Sequence, residues 1–122
     1  MADPRKHILV VDDEGVVLKT LLRLLSKDYE VHGAESLEGA RAHLSTQRPA
    51  ALLFDLHLKD AGPDAILETL AEFQLQDCTV FMSGGRMGTE DDSSFSELPG
   101  PLLSKPFNPV QLRQLLRGVI ES

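Results

Sequence analysis

Short apolar runs and helical repeats alternate along this 122-residue chain, and that alternation restricts the fold more than any other feature. Residues 7–11, 29–34, 50–54, 79–82 and 102–104 are too short and too apolar for amphipathic helices, and they read as strands. Between them the period changes to 3.6. Leu18, Leu21, Leu22 and Leu25 share one helical face; Leu37, Ala40 and Leu44 share another, behind Ser36 as an N-cap. Pro63 suits the first turn of a third helix, whose inner face is Ile66, Leu67, Leu70 and Phe73. Asn108 and Pro109 open a last helix carrying Leu112, Leu115, Leu116 and Val119. The stretch 84–100 is poor in helix formers, with Gly84, Gly85, Gly88 and the adjacent acids Glu90, Asp91 and Asp92, so a helix there is expected to be short or frayed. Strand and helix thus alternate five times. That order predicts an α/β fold, a parallel five-stranded sheet with helices on both faces. Right-handed crossovers leave few topologies for it.

The strand ends carry the chemistry. The first is followed by Asp12, Asp13 and Glu14, the third ends in Asp55, the fourth in Ser83, and the fifth runs into Lys105. In a doubly wound sheet these ends collect on one edge, where open α/β folds place their ligands. Each residue has a plainer reading. Asp12 and Asp13 fit helix capping, Asp55 a turn or cap, Ser83 a turn before two glycines, and Lys105 an exposed surface. All of them falling at strand ends by chance is a stronger demand than any one of these. Three carboxylates in a small space repel unless a hard cation sits among them, and Mg²⁺ suits an all-oxygen set. A lysine and a small hydroxyl add what a phosphoryl group needs. A carboxylate between Mg²⁺ and lysine can act as a nucleophile and form an acyl phosphate. The residues therefore point to phosphoryl transfer onto Asp55.

Net charge narrows the partners. At −7 the chain is a poor ligand for nucleic acid or an anionic membrane, and a reasonable one for a cation. No run approaches the roughly 20 apolar residues that span a bilayer. The opening residues show no signal-peptide pattern, and the single cysteine, Cys78, suits a reducing compartment, so a cytoplasmic location is expected. Cys78 itself reads as a small buried apolar residue rather than a redox centre.

Taken together, Ile8-Leu9-Val10-Val11-Asp12-Asp13-Glu14, Leu53-Phe54-Asp55-Leu56, Phe81-Met82-Ser83-Gly84 and Lys105-Pro106-Phe107 resemble the receiver domain of two-component response regulators. The resemblance runs from about Lys6 to Ile120, so residues 1–122 are expected to form one receiver domain. It implies a flavodoxin-like sheet of strand order 2-1-3-4-5. It implies Asp55 as phosphoacceptor, and Asp13 as a direct Mg²⁺ ligand with Asp12 beside it, partly through water. The backbone carbonyl of His57 would complete the protein ligands, Ser83 would hydrogen-bond the phosphoryl group, and Lys105 would pair with it. The implied phosphodonor is a sensor histidine kinase or a histidine phosphotransfer protein. Such domains catalyse their own phosphoryl transfer and dephosphorylation, and signal through the fourth and fifth strand-helix units. No nucleic-acid or membrane partner is expected of this domain, and its output partner or attached domain is not specified.

Several positions depart from the family pattern. Leu102 stands where the family carries Tyr or Phe three residues before the lysine, and a leucine cannot report rotation as an aromatic ring does. Lys59 stands where many members have proline, and Gly84 where alanine is usual. The stretch 83–100 is expected to be mobile and to order on phosphorylation or partner binding. His57 reads equally as a tuner of phosphoryl lifetime and as an exposed loop residue, whereas His32 and His43 read as surface residues far from the site. The competing function is a non-phosphorylated interaction module with the same fold. A flavodoxin-type FMN site fits poorly, because Asp12-Asp13-Glu14 would repel a phosphate. An aspartate-nucleophile phosphatase would want a second acid where His57 stands.

Overall fold

The computed structural model describes residues 6–83, 98–104 and 108–121. Its strands are β1 (His7–Val11), β2 (Glu30–Ala34), β3 (Ala51–Asp55), β4 (Thr79–Ser83) and β5 (Leu102–Ser104). Its helices are α1 (Gly15–Leu25), α2 (Leu37–Leu44), α3 (Pro63–Phe73) and α4 (Pro109–Glu121), with a single 3₁₀ turn at Gln76–Cys78. The five strands form one sheet in the order β2-β1-β3-β4-β5, parallel throughout. This is the flavodoxin-like topology expected from the sequence. The residues expected to give a weak fourth helix lie mostly outside the described residues, as do Gly84, Gly85 and Lys105.

Period-two alternation divides the strand side chains between two apolar layers. Leu9, Val11, Leu52, Phe54 and Phe81 meet Ala40 and Leu44 of α2 and Ile66 and Leu70 of α3. Ile8, Val10, Ala51, Leu53, Val80, Met82 and Leu103 meet Leu18, Leu21 and Leu25 of α1 and Leu112 and Leu116 of α4. Strands buried on both faces must be apolar almost without break, which is why β1, β3 and β4 stood out as runs. The edge strand β2 is only partly covered, and it was correspondingly faint. Close packing there depends on Gly33, where a Cβ would come within 3.0 Å of Leu22 Cδ1 and 3.1 Å of Leu18 Cδ1. At the other edge, a Cβ on Gly100 would collide with the Thr79 carbonyl oxygen, so only glycine lets the chain enter β5 this close to β4.

The helix starts are fixed by named caps. The Gly39 N–H donates to Ser36 Oγ (3.0 Å), and the Val110 N–H donates to Asn108 Oδ1 (2.8 Å). A second cap on α2 comes from far along the chain. Asp60, in the loop between β3 and α3, accepts from the Leu37 N–H (3.0 Å) and the Glu38 N–H (3.3 Å). These contacts, the Leu37 bond foremost, hold the Asp60 carboxyl below its ordinary 3.8. The charged form is therefore the one that favours folding. Its stabilisation is present above about pH 3.8 and is lost as the pH falls through the lowered native value. Asp60→Ala is expected to lower stability by about 1 kcal/mol at neutral pH, the usual cost of a lost helix cap. Urea midpoints taken from pH 7 downward should show the gap between parent and variant closing as the pH drops below 4.

Candidate functional site

The carboxyl edge of the sheet brings the acids together through register. Val11 pairs with Phe54, and Asp55 pairs with Met82. Asp12, the residue after Val11, is therefore level with Asp55, and Ser83 lies one step beyond Met82 on the neighbouring strand. Carboxylate oxygens of Asp12, Asp13 and Asp55 all lie within 4.8 Å of one another. Asp12 is fully buried and Asp55 is 2 % exposed, while Asp13 is half-buried at the rim. Ser83 is also buried, at 1 % exposure.

Backbone N–H groups of two loops hold this arrangement. The Glu14 N–H donates to Asp12 Oδ1 at 2.9 Å, and the His57 N–H donates to Asp55 Oδ1 at 2.9 Å. Both bonds span two residues, so each aspartate closes a small turn just past its strand. Asp13 is held across the sheet edge, where Oδ2 accepts the Lys59 N–H at 2.8 Å. A proline at position 59 would have no N–H to give, so the lysine found there supplies a contact that proline removes. Plain helix capping does not account for Asp12 and Asp13. The N-cap of α1 is Glu14, and it makes no side-chain capping bond.

His57 is exposed, yet its Nε2 lies 3.3 Å from Ser83 Oγ. His57, in the loop after β3, thus reaches the carboxyl end of β4, where Ser83 lies. Sequence reasoning placed His57 in this loop but had no means of finding the contact with Ser83, which depends on the side-chain rotamer. Leu102 is half-buried and packs against the layer that includes Phe81. Lys105 lies outside the described residues. Cys78 is half-buried, its Sγ 3.5 Å from the Leu75 carbonyl oxygen, and burial pushes its thiol pKa up. It lies far from the acids, at the opposite end of β4 from Ser83.

The acid cluster has the composition of a Mg²⁺ site: hard oxygen donors only, one from each of three carboxylates within 4.8 Å of the others, with Asp12 and Asp55 shielded from water. Without a cation, like charges this close oppose folding. Asp13→Asn keeps an oxygen to accept the Lys59 N–H and removes one charge. Its stability in chelator is expected to exceed that of the parent by roughly 1–4 kcal/mol of relieved repulsion, seen as a higher thermal midpoint. Added Mg²⁺ is expected to stabilise the parent and to leave the variant nearly unchanged, as measured by thermal denaturation with and without the ion.

No family model matches this sequence, and no curated protein matches it either. Solved structures do. A response regulator from Chloroflexus aurantiacus is 22 % identical with a TM-score of 0.82, over 97 % of this chain and 99 % of that one. The signal receiver domain of an HD domain-containing protein from Pseudomonas fluorescens is 23 % identical with a TM-score of 0.82, over 99 % and 90 %. A CheY-like receiver domain from Methanospirillum hungatei is 24 % identical with a TM-score of 0.81, over 96 % and 94 %. At such identities the likeness establishes the fold.

Proposed function

We propose that this chain, which has the fold of response regulator receiver domains, is a single receiver that accepts a phosphoryl group on Asp55. One observation carries the reading: Asp55 ends the central strand β3, nearly buried, within 4.8 Å of the Asp12 and Asp13 carboxylates. Asp13, Asp12, Asp55 and the His57 backbone carbonyl would hold Mg²⁺. Bound there, the ion neutralises the acids and the charge that develops on the transferring phosphoryl group.

The chain's own residues do the rest. The His57 N–H fixes the rotation of the Asp55 carboxylate through Oδ1. A carboxylate oxygen of Asp55 attacks the phosphorus of a phosphohistidine on a sensor kinase or phosphotransfer protein. The P–N bond breaks, and its electron pair returns to the donor imidazole. The Ser83 hydroxyl, buried next to Asp55, donates to a phosphoryl oxygen, and Lys105 supplies a point charge. Hydrolysis of the aspartyl phosphate then resets the domain. His57 Nε2, at 3.3 Å from Ser83 Oγ, is placed to influence how water reaches that bond. The output is a population shift of the face built from β4, β5 and α4, read by a protein partner or an attached domain. Among the described residues no helix is long and apolar enough to cross a membrane.

The test is intact mass after incubation with acetyl phosphate and Mg²⁺. A gain of about 80 Da, one phosphoryl group, is expected in the parent and absent in Asp55→Asn. Beryllofluoride binding identifies a phosphoryl group too short-lived to weigh. Failure of both would overturn the proposal in favour of an interaction module that is not phosphorylated.

A further inference from the structure

The amino end of the sheet carries a second cluster, of different chemistry. His7 opens β1, His32 lies in the middle of β2, and His43 lies near the end of α2. Register sets His7 beside Glu30 and Leu9 beside His32, and Glu30 and His32 share a face of β2 because two residues separate them. The three imidazole rings form a nearly equilateral triangle, with centroids 4.6, 5.0 and 5.1 Å apart. His7 Nε2 lies 2.9 Å from His43 Nε2, and His32 Nε2 lies 3.2 Å from Glu30 Oε2. One ligand atom each from His7, Glu30 and His32 lies within 4.8 Å of the others. His7 Nδ1 is buried with no hydrogen-bond partner among the described residues. His32 and His43 are partly exposed surface residues away from the acid cluster, as the sequence suggests, but they meet each other and His7.

Packed in this way, positive charges on the rings would oppose one another. Burial first, and then the neighbouring imidazoles, lowers the proton affinity of His7 and His43. Neutral rings keep lone pairs available for a metal, and one carboxylate balances part of a double positive charge. The spacing also fits. With Zn–N at 2.0–2.1 Å, rings radiating from one tetrahedral ion have centroids about 5 Å apart and donor atoms about 3.3 Å apart. The observed triangle and the 2.9 and 3.2 Å donor distances are close to these values. Imidazole prefers Zn²⁺, Cu²⁺ or Ni²⁺, whereas the all-oxygen cluster at the other sheet edge prefers Mg²⁺.

We propose that His7, His32 and His43, with Glu30, form a binding site for a divalent transition-metal ion of the Zn²⁺ class, separate from the acidic cluster. The two sites stand at opposite ends of β1, roughly 16 Å apart at 3.3 Å per residue. Without metal, one of the two facing Nε2 atoms of His7 and His43 donates its N–H to the other across 2.9 Å, and that proton moves to Nδ1 or leaves when both face an ion. A small rotation of His43 turns its lone pair onto the ion. Bound metal then joins the partly covered edge strand β2 to β1 and α2.

Zn²⁺ binding by the full chain is the test, measured by calorimetry in excess Mg²⁺ so that the acidic cluster does not compete. One Zn²⁺ per chain and a raised thermal midpoint are expected. His32→Gln and His43→Gln are each expected to weaken binding by at least about tenfold, while His57→Gln leaves it unchanged. Cobalt in place of zinc should give the visible absorption of tetrahedral nitrogen and oxygen ligation, lost in His43→Gln. That variant, half-exposed on α2, keeps the test open if His32→Gln folds poorly. Absence of Zn²⁺ binding, or binding that survives both histidine changes, overturns the proposal. Neither result bears on whether Asp55 is phosphorylated.

Discussion

Burying two carboxylates at one edge of a sheet is the constraint on which the rest of this structure depends. An ionised carboxylate taken out of water costs several kcal/mol unless hydrogen bonds or opposite charge replace its hydration. Asp12 and Asp55 are nearly inaccessible, and each takes a backbone N–H from the residue two places on. The same local device recurs at the ends of β1 and β3, which are adjacent and in register. A parallel sheet makes this possible, because consecutive strands then deliver their carboxyl ends to one edge. An antiparallel arrangement would have put Asp12 and Asp55 at opposite ends. The two apolar layers serve the same purpose: they bury β1, β3 and β4 on both faces, so that the polar ends Asp12, Asp55 and Ser83 are themselves nearly inaccessible.

Much of this was legible because both signals are local. A strand buried on two faces is an uninterrupted apolar run, and Leu52-Leu53-Phe54 before Asp55 could hardly be read otherwise. Helix faces such as Leu18, Leu21 and Leu25 follow from a period of 3.6 and are buried as expected. Ser36 and Asn108 cap the helices that they precede. In α3, Thr69 rather than Leu67 is buried: it stands three residues after Ile66 on the inner face, and its hydroxyl is satisfied by the Ala65 carbonyl and Arg41 of α2.

What the sequence concealed was the polar contacts between distant segments that no strand end announces. Asp60 caps α2 from more than twenty residues away, Lys59 reaches Asp13 across the sheet edge, and His7 meets His43. None of these pairs has a spacing that announces it, since crossover geometry sets the distance between them. The histidines illustrate the point. In the sequence they are isolated and polar and so read as surface, whereas the right-handed β1-α1-β2-α2 path folds three of them onto one patch.

The loop after β3 connects these features physically. It begins at Asp55, the proposed acceptor, whose Oδ1 is tied to the His57 N–H. Two residues on, the Lys59 N–H binds Asp13 Oδ2, and the very next side chain, Asp60, caps α2. That helix in turn carries His43 to the amino end of the sheet. A change of charge at Asp13 or Asp55 alters the hydrogen bonds that position this loop. The loop cannot move far without withdrawing Asp60 from the α2 N-terminus, and α2 cannot tilt without disturbing the histidine triangle. Short, directional bonds of this kind give the loop a defined resting position. The lysine at position 59 is part of that position through its backbone alone, and its side chain remains exposed. A proline there would have anchored the loop by its own stiffness; here the anchor is a hydrogen bond to the carboxylate that the proposed Mg²⁺ ion would also use.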